Sequence, residues 1–106
     1  MARTFAFFGP YVTTPEAQSL RARIRSTHLA GLKPLKERGV ITNGGPFYND
    51  EGAGEGAPDR PFGGSFFVME AETYAEALKI IQADVYYTEG LWDIPQIRLI
   101  EYVVPK

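Results

Sequence analysis

Cysteine is absent from the chain, which excludes a disulfide framework, a thiolate metal site and a cysteine nucleophile in one step. Histidine is nearly absent, since His28 stands alone. With one imidazole and no thiolate, a metal would depend on carboxylates and other oxygen ligands. No cluster of these has a workable spacing, so no metal is expected, and no cofactor motif is present. Positive charge is not in excess: 11 Lys+Arg against 13 Asp+Glu leave a formal net charge of -2 and a pI near 5.4. Such a chain has no global field to draw in a phosphate backbone or an anionic lipid. No apolar run approaches the roughly 18 residues needed to span a bilayer. Residues 1–4 lack the basic flank and apolar stretch of a signal peptide. These absences predict a cytoplasmic protein with neither nucleic acid nor membrane as partner.

What is present is aromatic. Seven Phe, six Tyr and one Trp stand within a hydrophobic content of 44%. A chain of 11.8 kDa with that composition predicts one domain, residues 1–106, that buries a core without covalent staples.

Residues 4–8, Thr-Phe-Ala-Phe-Phe, read as a first strand buried on both faces and ended by Gly9-Pro10. Thr14 suits an N-cap, with Pro15 at the first helical position and Glu16 beside the positive helix end. The helix is expected to run to about Arg38, with Gly39 as its C-terminal cap. Leu20, Ile24, His28 and Leu32 recur every four residues, with Leu35 three further on, so they share one face with His28 in its middle. Pro34 predicts a bend or irregular turn near residues 31–34. Residues 40–48 predict a second strand, interrupted at Asn43-Gly44-Gly45-Pro46 by a bulge or a close backbone approach. The glycine-, proline- and acid-rich residues 49–62 predict a mobile surface loop able to act as a flap. Residues 65–70 form the clearest strand. Thr73 and Glu76 then form a capping box for a second helix with Ala77, Leu78, Ile81 and Val85 on one side. Residues 92–103 predict a last strand in which Pro95 marks an edge or a bulge.

That order is the α+β, ferredoxin-like βαββαβ arrangement, a four-stranded antiparallel sheet with two helices on one face. The other face has no helix to cover it, and its aromatic and branched residues predict a homodimer formed by sheet-to-sheet packing. An RNA recognition motif shares the order. Where that motif needs a basic residue and stacking aromatics on its third strand, this chain has Gly63, Ser65 and Glu70, so the RNA reading fails.

Residues alone give His28 two readings, a hydrogen-bonded core residue or a proton shuttle. Further signals accumulate along nearly the whole chain: Arg25-x-x-His28-Leu29-x-x-Leu32, then Arg38-Gly39-Val40 leading to Gly45-Pro46, then Gly64-Ser65 opening the third strand. Glu70-Ala71 follows before a helix with Glu76-Ala77, and finally Asp84, Tyr86 and Gly90. This ordered set resembles the YciI-like (YCII-related) family of the dimeric α+β barrel superfamily. The resemblance implies a homodimer whose two sheets face each other and a pocket in each protomer with a catalytic histidine and aspartate, roles that fall on His28 and Asp84. The chain departs from the family at one place. Asp84-Val85 stands where the family usually has Asp-Pro, which removes a rigid first position for the following turn but keeps the carboxylate. Gly45-Pro46-Phe47 is also similar to the DGPF-containing branch, without its aspartate.

Asp84 has a second task available, capping the turn over residues 85–89, and a capped carboxylate is a fixed one. Arg25 precedes His28 by three residues on the same helix surface, where it can pair with an acid or hold an anionic substrate. Any local basic patch belongs on this helix, with Arg21, Arg23 and Arg25. Ser65 either binds a substrate oxygen or belongs to turn chemistry, and Gly45 and Pro46 complete the substrate-binding positions. Tyr86, Tyr87 and Trp92 line the pocket or fill the core and interface. One proton-transferring residue without a nucleophile or cofactor motif points to a lyase or isomerase that takes a proton from carbon next to a carbonyl or from a phenolic compound; the resemblance to the dimeric barrels implies a small oxygenated substrate, aromatic or another ring. The alternative is a non-catalytic small-ligand-binding or accessory homodimer.

Overall fold

The computed structural model describes residues 2–49, 55–56 and 60–105. Four strands and three helices follow in the order β1 (Arg3–Pro10), α1 (Ala17–Glu37), β2 (Ile41–Tyr48), β3 (Phe62–Ala71), α2 (Tyr74–Ala83), α3 (Val85–Thr88) and β4 (Arg98–Tyr102), with a 3-10 turn at Ile94–Gln96 before β4. The sheet is antiparallel, with strand order β2-β3-β1-β4. That is the order of the split βαβ arrangement. β1 sits in the interior, and its register sets Phe7 opposite Phe67 on one side and Leu99 on the other.

Strand alternation divides the aromatic residues between two environments. Phe5, Phe7, Phe67 and Met69 point toward the helices and are buried with Ile24 and Leu32 of α1 and Ala77 and Ile81 of α2. The opposite face carries Phe8, Phe66 and Ile100, which are 42%, 40% and 56% exposed. The expectation that β1 is buried on both faces is therefore corrected: in this chain one face of the strand is core and the other is open. Phe8 and Phe47 stack across that open face with centroids 4.9 Å apart.

α1 starts later than its capping signals suggest. Its N-cap is Glu16, without a side-chain cap. Thr14 instead offers its carbonyl to the Ala17 N–H at 3.1 Å, closing a turn ahead of the helix. The helix is continuous through Pro34, so the irregular turn expected near residues 31–34 does not form. Proline removes a single hydrogen bond, to the Ala30 carbonyl, and both residues are exposed, so water can satisfy that group. Gly39 ends the helix at φ +73, the left-handed geometry of a C-terminal glycine.

The second helix is capped as its sequence predicts, with the Glu76 N–H donating to Thr73 Oγ1 at 3.1 Å. Glu76 Oε2 accepts from the Glu72 N–H rather than from Thr73 itself. The last strand is shorter than expected. Only residues 98–102 pair with β1, Pro95 lies in the 3-10 turn, and Trp92 makes an isolated bridge to Tyr11. The expected flap over residues 49–62 falls largely outside the described residues. No described helix is long and apolar enough to cross a membrane.

Candidate active site

His28 occupies the middle of the apolar stripe of α1, between Ile24 and Leu32, and is only 7% exposed. A buried imidazole needs partners for its ring nitrogens, and one of them comes from the far end of the second helix. Asp84 closes α2 and N-caps α3, with extended backbone at φ -72 and ψ 140. Its Oδ1 accepts from the Tyr86 N–H at 2.8 Å and lies 2.7 Å from His28 Nδ1. Capping and orienting are thus done by the same oxygen. An ionised carboxylate only accepts, so Nδ1 carries the proton of this contact. Nε2 makes no hydrogen bond among the described residues.

Tyr86 follows two residues after Asp84, and its ring lies on the imidazole with centroids 3.7 Å apart and planes 5° from parallel. Trp92 meets the imidazole edge-on at 6.2 Å and 88°. Burial pushes the Tyr86 phenol up to about 12, with Tyr11 and Asp84 adding to the rise while Arg21 and Arg25 oppose it.

In front of this layer lies a cavity of about 180 Å³ bounded by α1, the end of β1, the middle of β2 and the start of β3. Arg25, His28, Gly45, Pro46, Ser65 and Tyr86 all line it. The walls of β2 and β3 approach closely because Gly44 has φ +141 and a Cβ there would fall 2.3 Å from the Phe66 carbonyl oxygen. This is the close backbone approach that the paired glycines predict. Ser65 is buried, and its Oγ accepts from Trp92 Nε1 at 3.2 Å. Asp84 stands behind the imidazole and, with His28, lines a second cavity of about 200 Å³ between α1 and the second helix.

Thus the sequence-derived positions converge on one place, with Asp84 one step behind the others. Arg21 joins Arg25 at the front cavity, whereas Arg23, Tyr87 and the core residue Trp92 do not line it. Three lining residues went unnoticed in the sequence: Tyr11, Lys36 and Phe67. Lys36 lies eight residues after His28 and so on the same helical stripe. Tyr11 and Phe67 carry on the alternation of Phe5 and Phe7 across the strands. Both periodicities were available as signals. Among the described residues no group of three or more His, Cys, Asp or Glu could hold a metal ion.

Against known families, the YCII-related domain model matches residues 7–101. The chain belongs to the YCII-related family. Among solved structures, this YCII-related chain is similar to the 5-chloro-2-hydroxyhydroquinone dehydrochlorinase of Burkholderia phenoliruptrix in complex with 2,5-dihydroxybenzoquinone. The TM-score is 0.77 at 27% identity, over 94% of this chain and 93% of that one. Among curated proteins it is 28% identical over 89 residues to the aspercryptin biosynthesis cluster protein B of Emericella nidulans. That match takes in 84% of this chain and 56% of the relative, so the chain spans about half the length of that relative. Val85 starts α3, and the Asp84 side chain caps that helix without a proline at its first position.

Proposed function

We propose that this YCII-related protein is a small enzyme in which His28 and Asp84 act as a pair to move a proton on a small oxygenated ring compound, in a lyase or isomerase reaction. The observation that carries the reading is the 2.7 Å contact between His28 Nδ1 and Asp84 Oδ1. It commits one ring nitrogen to a fixed carboxylate and leaves Nε2 as the base toward the front cavity. The carboxylate stabilises the imidazolium formed when Nε2 takes up the proton. Arg25, Ser65, Gly45 and Pro46 form the substrate-binding walls. A volume of about 180 Å³ lies below the roughly 300–1,000 Å³ of drug-sized sites, which favours a single ring. The dehydrochlorinase with its bound dihydroxybenzoquinone supports the same substrate class.

The working unit in this reading is a homodimer in which the two open sheet faces pack together. Phe8, Phe66 and Ile100 on that face are the kind of contiguous apolar surface that monomers rarely leave open.

The reading is tested by incubating hydroxylated and halogenated ring compounds with the protein in D2O and following them by NMR. Wild type is expected to exchange a ring proton or eliminate a leaving group from at least one compound, and His28→Ala is expected to abolish it. Ligands that bind without exchange or elimination would support the non-catalytic binding dimer instead.

A further inference from the structure

The front cavity is lined by two hydroxyl groups that each already accept one hydrogen bond from a neighbouring side chain. Tyr11 Oη accepts from Arg21 Nε at 3.1 Å, and Ser65 Oγ accepts from Trp92 Nε1 at 3.2 Å. Arginine and indole N–H groups only donate, so the direction of both bonds is fixed. Neither hydroxyl has an acceptor for its own proton among the described residues. Arg25 and Lys36 bring two cations to the same cavity and make no ion pair or hydrogen bond among the described residues. They are not scattered surface charges. Residues 21, 25, 28, 29, 32 and 36 all line the cavity and form one stripe along α1.

Among the described residues no Asp or Glu lines this cavity, although the chain as a whole carries a net charge of -2. Of the described lining side chains, only His28 presents a ring nitrogen without a hydrogen-bond partner, Nε2. Aromatic rings of Tyr11, Phe67 and Tyr86 supply flat apolar walls between the polar groups. A cavity with many donors, two unpaired cations and a single base selects a ligand with the opposite inventory.

We propose that the front cavity takes a planar ring carrying an ionised oxygen, with Arg25 and Lys36 on the charged end, the Tyr11 and Ser65 hydroxyls donating to ring oxygens, and the one proton to be moved presented to His28. This rests on the front cavity being the substrate site. It adds the charge state of the substrate and assigns Tyr11 and Lys36 as further substrate-contacting residues.

The probe is 2,5-dihydroxybenzoquinone, a vinylogous diacid ionised at neutral pH, compared with its uncharged dimethyl ether. Binding is followed by NMR at the indole N–H of Trp92, the partner of Ser65. The anion is expected to bind at least about tenfold more tightly than the ether and to weaken as salt is raised. Arg25→Gln and Lys36→Gln lie at exposed positions and should each weaken the anion about three- to tenfold while leaving the ether unchanged. Tyr11→Phe and Ser65→Ala should weaken it by about the same factor. Equal binding of anion and ether, binding of neither, or anion binding indifferent to salt and to both Gln variants overturns the proposal. The two claims fail separately. An anion bound without any proton exchange removes catalysis and keeps the ligand class, whereas exchange on neutral rings alone does the reverse.

Discussion

The imidazole of His28 lies flat on the phenol ring of Tyr86, 3.7 Å away, and both are fixed by one oxygen, Asp84 Oδ1, which meets His28 Nδ1 at 2.7 Å and the Tyr86 N–H at 2.8 Å. The stack and the hydrogen bond are therefore one unit. Moving Asp84 would shift the base and the surface it rests on together.

Removing the ring should expose that dependence. Tyr86 is fully buried, so Tyr86→Ala leaves a cavity and should cost about 3–5 kcal/mol, read by urea unfolding. Tyr86→Phe keeps the stack and should stay within about 1 kcal/mol of wild type. Similar losses in both variants would mean that the hydroxyl, not the ring, holds the layer.

The same residue predicts the alkaline limit of stability. The Tyr86 phenol ionises near 12 in the folded chain and near 10 when unfolded. Between those values the folded state binds more protons, so stability falls as pH rises from about 10 to 12. Below about 10 this loss is absent. Melting temperatures measured across that window should fall less steeply in Tyr86→Phe, and an unchanged slope would contradict the assignment.

Two glycines should respond in opposite directions to alanine. Gly44 has φ +141, and a Cβ there would lie 2.3 Å from the Phe66 carbonyl oxygen, so Gly44→Ala should destabilise by about 1–3 kcal/mol. Gly31 lies inside α1, and a Cβ there meets nothing within 4 Å. Gly31→Ala should stabilise by about 0.5–1 kcal/mol. Thermal unfolding of the two variants checks both signs.

Sheet-to-sheet assembly predicts a mass about twice 11.8 kDa at micromolar concentration by sedimentation equilibrium. Charge placed on the open face by Ile100→Asp or Phe8→Glu should give monomers. A monomeric wild type would remove the barrel.

Periodic features were legible in the sequence, and irregular ones were not. The stripe from Leu20 to Leu35 placed His28 correctly, and the Thr73 capping box marked the start of the second helix, because both are local rules repeated over several residues. The start of α1 was missed because Thr14 and Pro15 satisfy helix-start rules equally well in the turn that precedes it. The last strand is shorter than its sequence suggests because residues 92–97 mix Trp92, Ile94 and Ile97 with Pro95 and are held by the Trp92 bridge and a 3-10 turn, contacts that alternation does not encode. His28 and Asp84 lie 56 residues apart, so only the resemblance and the helix packing of the expected fold related them. Tyr86 was legible as an aromatic near Asp84, whereas its stacking depends on the backbone direction that Asp84 sets.

Asp84 holds the proton on His28 Nδ1 and leaves Nε2 bare. The direct measurement is NMR of protein labelled with 15N-histidine, at a pH where the ring is neutral. Wild type should show the Nδ1–H tautomer at His28, and Asp84→Ala should lose it. A wild-type ring protonated on Nε2, with Nδ1 bare, would contradict it.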